Sequence, residues 1–363
     1  MSSRTIALAG LVLGISGCST GGERPPPTLT QLGLAQNDVP PAGTPGGIGA
    51  GKIDRWWRLF PDLRLAELVE LGLAENLDIK LAAGRLKPDS PFAGPGINKS
   101  RIDLAMKRVA LGAEIARHYV MARTRRAMVE NVTESLARQD ENLGILKFRE
   151  EAKLVSALDR EQAEAERARV AAMLPGLRTS FTADVARLGV LTGQSPVALT
   201  QALTPLAPIP VGPDAEIIGD TAQAIARRPD IVLASAKFAR SDRRRKPTAM
   251  ATAALKQSTL LALENLENAR ASFEGAKMRE ADLHRAFDAT DRAAQLARKQ
   301  YREGLADFTT LKDAERTLLS VGNELAMAKA DRAIALVTLY VASGGGWDRD
   351  GIAPDRAESR GNE

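Results

Sequence analysis

Apolar positions in this chain recur by fours and threes over stretches far longer than a globular helix needs. Val132, Leu136, Gln139, Leu143 and Leu146 step in this way, a heptad seam rather than a single buried face. The pattern around them predicts a helix from about Ile102 to Glu151, on the order of 75 Å long at about 1.5 Å per residue. A return helix runs from about Asp159 to Gly193, with a break near Pro175. A second long pair follows, about Ala251 to Tyr301 and Thr310 to Ala342, with a turn at Gly304. Ahead of the first pair, Leu65, Leu68, Val69, Leu71, Leu73 and Ile79 predict one or two short helices after Trp56. Pro205 to Pro213 reads as an extended connector.

The two pairs are copies. Subtracting 151 from Gly344, Val341, Leu339, Leu325, Glu315 and Ala314 lands on Gly193, Val190, Leu188, Leu174, Glu164 and Ala163. Upstream the same shift pairs Leu283 with Val132, Phe287 with Leu136, Ala294 with Leu143 and Ala297 with Leu146. A repeated helical hairpin of this length is one supersecondary unit used twice. The predicted class is mainly α, tandem long antiparallel coiled-coil hairpins, with little or no β-barrel. The units are residues 55–200 and 217–344, joined by a connector at 201–216 and followed by a disordered tail at 345–363. Seams this long pack against each other, in a solitary four-helix bundle or in a tube built with further copies; the Ala-rich stretch Ala163 to Ala172 suits either.

Composition narrows the chemistry. With 2 His, 1 Cys and 4% aromatic residues in 363, there is little material for metal chelation, cysteine nucleophiles or base stacking. His118 and His284 stand on helices without a clustered catalytic partner, so no enzyme, cofactor or metal site is expected. The net charge is +5, and the basic run Arg243 to Lys246 has no aromatic platform beside it, so it reads as a solvated loop and nucleic acid is not an expected partner. Gly46 to Lys52 has the spacing of a phosphate-binding loop. Ile53 follows where a magnesium-ligating hydroxyl is needed, and no apolar strand precedes it.

At the N-terminus, Arg4 precedes an apolar run from Ile6 to Leu13 and then Ile15-Ser16-Gly17-Cys18, the layout of a secretory signal over residues 1–17. The run is too short to span a bilayer permanently. The single cysteine follows small residues, so the segment resembles a bacterial lipoprotein signal with Cys18 the lipidated first residue; Ile15 stands where Leu is commoner, and an ordinary cleaved signal is the alternative. By analogy with such lipoproteins, Ser19 in place of Asp implies sorting to the outer membrane. Acyl chains on one cysteine anchor firmly, at about 0.8 kcal/mol per buried CH2. Residues 18–54, with Pro25-Pro26-Pro27 and Pro40-Pro41, read as a tether.

Tyr301-Arg302-Glu303-Gly304, then Leu311 to Leu319, then Leu339-Tyr340-Val341-Ala342-Ser343-Gly344-Gly345-Gly346-Trp347, resemble the closing segment of TolC-like outer-membrane efflux lipoproteins. Arg227-Arg228-Pro229-Asp230-Ile231 after Ile209-Pro210, Trp56-Trp57 with Phe60, and Val190-Leu191-Thr192-Gly193 agree with that family in order and spacing, so the similarity covers about residues 55 to 347. The resemblance implies a homotrimer whose hairpins form a periplasmic tunnel. It also implies docking on a periplasmic membrane fusion protein and an inner-membrane pump, for export of drugs or other small solutes. In such proteins the hairpin turns form the periplasmic entrance, where inward acids constrict the pore. The resemblance places this gate at Asp313, with Thr310 where a second acid can occur, and the turns at Lys153 and Gly304. Read without the resemblance, Asp313 is an exposed charge on a helix surface. Lys153 occupies the family's glycine position and is poorly suited to a left-handed turn, which implies a reshaped first turn.

One departure concerns the membrane. Family members insert a long β-hairpin in each half, and here only Lys87 to Ser100 and roughly Ala239 to Met250 stand in those places. A spanning strand needs about 9 to 11 residues, so neither segment holds two strands and a turn. Two readings remain: a lipid-anchored tunnel component of a tripartite efflux system, or a barrel-less periplasmic coiled-coil scaffold that binds a partner without conducting.

Overall fold

The computed structural model describes residues 53–86, 99–214, 221–242 and 249–347. Cys18, the tether up to residue 52, the Gly46 to Lys52 spacing and the Arg243 to Lys246 run lie outside the described residues, as do most of the first shortened segment and half of the second. The described residues form helices and loops, with no strand among them.

After a short 3-10 turn at Trp56–Leu59 come α1 (Leu63–Glu75) and α2 (Leu77–Gly84), then the long α3 (Lys99–Glu151). Its return is split into α4 (Ala157–Ala171) and α5 (Met173–Thr192), followed by α6 (Pro196–Leu203). The second repeat contains α7 (Thr221–Arg227), α8 (Pro229–Asp242), the long α9 (Ala249–Arg302) and α10 (Phe308–Ala342). Local chemistry sets these ends. Asp62 caps α1 by accepting from the Leu65 N–H at 3.0 Å, and Asn76 caps α2 through Ile79 N–H at 3.1 Å. The expected break near Pro175 falls at Ala172. A proline lacks an N–H and its ring crowds the carbonyl four residues earlier, here Ala171, so the helix must end there and restart with Pro175 in its first turn.

α3 packs against α4 and α5 on one side and against α10 on the other, and α9 packs on α10. The long helices therefore stand in a row, α4/α5, α3, α10, α9. The predicted seam is the contact: Val132 and Leu146 are fully buried and Leu143 nearly so, with Leu136 and Gln139 at its edge. Gly322 on α10 lets the two hairpins approach, since an added Cβ would sit 3.3 Å from the Phe287 ring and 3.4 Å from Asn131 Nδ2.

The opposite end holds the main core. Trp56 is fully buried, stacked on Tyr340 at 6.0 Å and edge-on to Trp57 and Phe60. The repeat is visible here as matching helix stops. Gly193 and Gly344 both have positive φ (69° and 78°), with Gln194 N–H donating to Gly189 and Gly345 N–H donating to Tyr340. Trp347, placed in the tail by sequence, is instead buried, and its Nε1 donates to the Arg227 carbonyl at 3.1 Å. The ordered chain thus continues past 345, because the indole fills a site between α3 and α8.

The connector is shorter than expected at its start, since α6 runs to Leu203, and it is tied to α3 by arginines. Arg123 donates to the carbonyls of Leu203 and Pro205, and Arg126 to that of Thr204, which satisfies acceptors left open by the end of α6. Arg123 also donates to the Tyr119 hydroxyl, which in turn donates to Asp62; burial pushes that phenol up to about 12. Arg332 of α10 bridges Glu280 of α9 (2.8 Å) and Asp214 of the connector (2.5 Å).

Candidate functional site

The two hairpin turns lie at the same end of the row and are geometric copies. Lys153 has φ 59° and Gly304 φ 76°. In the first, Lys153 N–H donates to Glu150 at 2.9 Å and Leu154 N–H to Arg149 at 2.8 Å; in the second, Gly304 N–H donates to Tyr301 at 3.1 Å and Leu305 N–H to Gln300 at 2.8 Å. The reshaped first turn expected from Lys153 is therefore not found. The lysine adopts the left-handed conformation itself, at a strain of order 1 kcal/mol that the two backbone bonds hold in place.

Each return helix then starts on a cap at the corresponding position. Ser156 and Asp159 form a capping box, with Ser156 Oγ to Asp159 Oδ2 at 2.9 Å. Asp307 accepts from the Thr310 N–H at 2.8 Å, and that bond holds its carboxyl below the usual range. The candidate gate residues lie just beyond. Thr310 is exposed and its N–H serves the cap. Asp313, one turn further, is exposed, and its backbone carbonyl accepts from Thr317 Oγ at 2.8 Å. Within one chain these two residues share an outward face of α10 and do not reach the contact between hairpins.

That contact turns on Arg149, which the sequence did not single out. Arg149, on the last turn of α3, lays its guanidinium 4.6 Å from the Tyr301 ring and donates to the Tyr301 and Arg302 carbonyls at 3.0 and 3.2 Å. It thereby caps α9 from the neighbouring hairpin. Tyr301 packs edge-on against Phe308 at 6.2 Å over Leu143, Leu146, Ala163, Ala297 and Leu311, and burial raises its phenol.

One turn above that cluster sits a buried carboxylate. Glu315 is 5% exposed; one oxygen accepts from Asn142 Nδ2 at 3.2 Å, and the other is buried without a partner. Burial is the main cause that raises its pKa, opposed by the Asn142 bond and by Arg298 and Arg138. A charge between Leu311 and Leu318 on an otherwise apolar stripe was the available sequence signal.

The histidines differ from expectation in one respect. His118 does have a partner, Asp184 of α5 at 2.9 Å, beside a second cross-hairpin pair of Arg187 with Glu114. With no nucleophile bonded to it, the pair ties α3 to α5. Among the described residues no group of three or more His, Cys, Asp or Glu is placed to hold a metal, and no helix is long and apolar enough to cross a membrane.

The described chain is a row of two duplicated hairpins with matching, capped tips, and comparison with known proteins places that row among channel protomers. The sequence model of the family described as outer membrane efflux protein matches residues 229–345. Among solved structures, the outer-membrane channel OprN shares 25% identity, with a TM-score of 0.70 over 81% of this chain and 93% of that one. VceC of Vibrio cholerae aligns at 16% identity and TM-score 0.64, covering 81% of this chain and 99% of that one. The open state of the MtrE outer membrane channel of Neisseria gonorrhoeae gives 16% and 0.64, over 85% and 96%. No curated protein matches the sequence. The chain therefore has the fold of TolC-like outer-membrane channels, and residues 229–345 match the sequence model of outer membrane efflux proteins. The proteins it resembles are channels rather than enzymes.

Proposed function

We propose that this chain is the outer-membrane component of a tripartite efflux system, a lipoprotein held by Cys18 whose hairpins form the periplasmic tunnel for export of drugs or small solutes. It works as a homotrimer, and its tips dock on a periplasmic membrane fusion protein attached to an inner-membrane pump. The observation that carries this reading is the pair of matched tips, each leaving large apolar side chains in the open. Phe148, Leu154 and Leu158 on the first hairpin and Leu305 on the second are between 64% and 76% exposed. Apolar surface of that extent at the far end of two long stems supports a protein partner there. Asp313 faces outward within one chain, with Thr310 on the same face, which fits a ring of Asp313 carboxylates that meet only when three chains surround one axis; there they would repel and favour cations.

The scaffold reading, anchored but non-conducting, rests on the shortness of the two segments where barrel hairpins belong. The efflux-protein match and the channel fold support conduction over it. The test is accumulation of a fluorescent drug in cells deleted for the chain. The proposal expects retention of the dye, reversed by the wild-type gene and not by Cys18→Ser, which should shift the chain from membrane to soluble periplasm. Normal efflux in the deletion strain sinks the proposal.

A further inference from the structure

Halfway along α3 lies a feature that neither the fold nor the tips require. Arg125 is half-buried and has no carboxylate partner among the described residues. Its Nη1 touches sulfur instead, 4.0 Å from Met128 Sδ and 3.9 Å from Met327 Sδ, and its Nε is buried without a hydrogen bond. Leaving a buried guanidinium N–H unpaired is costly, and its neighbours contribute only weak acceptors.

The same two methionines line a groove of about 550 Å³, within the range of sites that take drug-sized molecules. Its floor and walls are apolar and polarizable, Met128 of α3, Met173 at the break between α4 and α5, and Leu319 and Met327 of α10. Three guanidiniums line it, and Arg125 stands against two of its methionines. Arg169 is engaged by Glu166 and Arg279 by Asp331 at 3.3 Å, while Arg316 makes no hydrogen bond among the described residues. Against Arg125 and Arg316 stands one carboxylate without a basic partner, Glu324, which accepts from Ser320. The groove draws residues from both ends of the helix row, α4/α5 and α9.

We infer that this groove is a binding site for an aromatic organic anion. The rings would lie on the three thioethers, which favour aromatic contact, and the carboxylate or sulfonate would take the open donors of Arg125 and Arg316. The inference deepens the proposed function, on which its physiological sense rests. The binding itself is independent of conduction.

Calorimetric titration of the purified full chain with naphthalene-2-sulfonate, and in parallel with neutral naphthalene-2-sulfonamide, separates charge from ring. One site per chain is expected, with the sulfonate at least tenfold tighter than the sulfonamide. Arg125→Met and Arg316→Gln should each remove most of that preference and leave the sulfonamide affinity unchanged. Arg316 is exposed, so its variant carries the test if Arg125→Met does not fold. Equal affinity for the two probes, or a preference that survives both variants, overturns the site. Binding that appears only when oligomers are diluted to single chains also overturns it, since a second copy then covers the groove. Anion binding without efflux removes the transport reading and leaves the site standing; efflux without anion binding does the reverse.

Discussion

Arg149 is the most direct link between the two hairpin tips, and its removal has a calculable effect. Arg149→Met keeps much of the apolar stem and deletes two donors to the Tyr301 and Arg302 carbonyls together with the guanidinium over the Tyr301 ring. A hydrogen bond from a charged group contributes about 1.5–3 kcal/mol when well shielded, and a cation over an aromatic ring about 0.5–2 kcal/mol. The Arg302 bond is exposed and adds little, so the low ends for the Tyr301 bond and the ring contact together give about 2 kcal/mol. Local opening of the second turn should then become roughly 30-fold more frequent. Hydrogen exchange followed by mass spectrometry on a peptide containing Glu303, Gly304 and Leu305 reads this directly, because their N–H groups bond back into the last turn of α9. The expected result is exchange roughly 30-fold faster there and unchanged near Leu325 in the stem. Arg149→Lys, which keeps the charge without the fork, should fall between. Wild-type exchange in Arg149→Met would mean that each turn is held by its own hairpin and the tips are uncoupled.

Three further perturbations test separate parts of the account. Lys153→Gly relieves the left-handed strain and should raise stability by about 0.5–1 kcal/mol, read from urea midpoints, whereas Gly304→Lys should lower it; a destabilised Lys153→Gly would refute the strain. Glu315 has its pKa raised by burial, so its contribution to stability is fully present below the usual carboxylate range and is lost as pH rises through the raised value. The charged groups facing it are Arg138 and Glu141 of α3, Glu166 of α4, Arg298 of α9 and Lys312 of α10. Glu315→Gln should therefore melt increasingly above wild type as pH goes from 4 to 8, and a constant difference would show that the carboxyl stays charged throughout. Leu143→Asp puts an unpaired charge into the seam and should lower stability by several kcal/mol; an unchanged melting temperature would place that face in solvent.

The long helices and their duplication were legible because a heptad pattern is local and repeats over many turns, and because Gly193 and Gly344 mark matching stops. Lys153 was not legible in the same way. Its conformation follows from the hydrogen bonds of the turn, which a lysine tolerates at modest strain although sequence favours glycine there. The Asp307 cap is a local signal, an acid three residues before Thr310 at the start of the return helix. Arg149 with Tyr301, His118 with Asp184, and Arg125 with Met327 join residues from 66 to 202 positions apart, which no spacing rule connects. Trp347 was lost to the tail because three glycines precede it; two of them are there to let the chain turn, Gly344 and Gly346 having φ of 78° and 87°.

The central claim is that two duplicated hairpins, presented by three copies of the chain, enclose a conducting tunnel. Single-channel recording of the purified lipidated protein in a planar bilayer tests it most directly. Discrete, long-lived conductance steps, reduced in size or cation preference by Asp313→Asn, are the predicted result. A silent membrane, with helical content and trimer intact in the same preparation, would contradict the claim and leave an anchored helical scaffold.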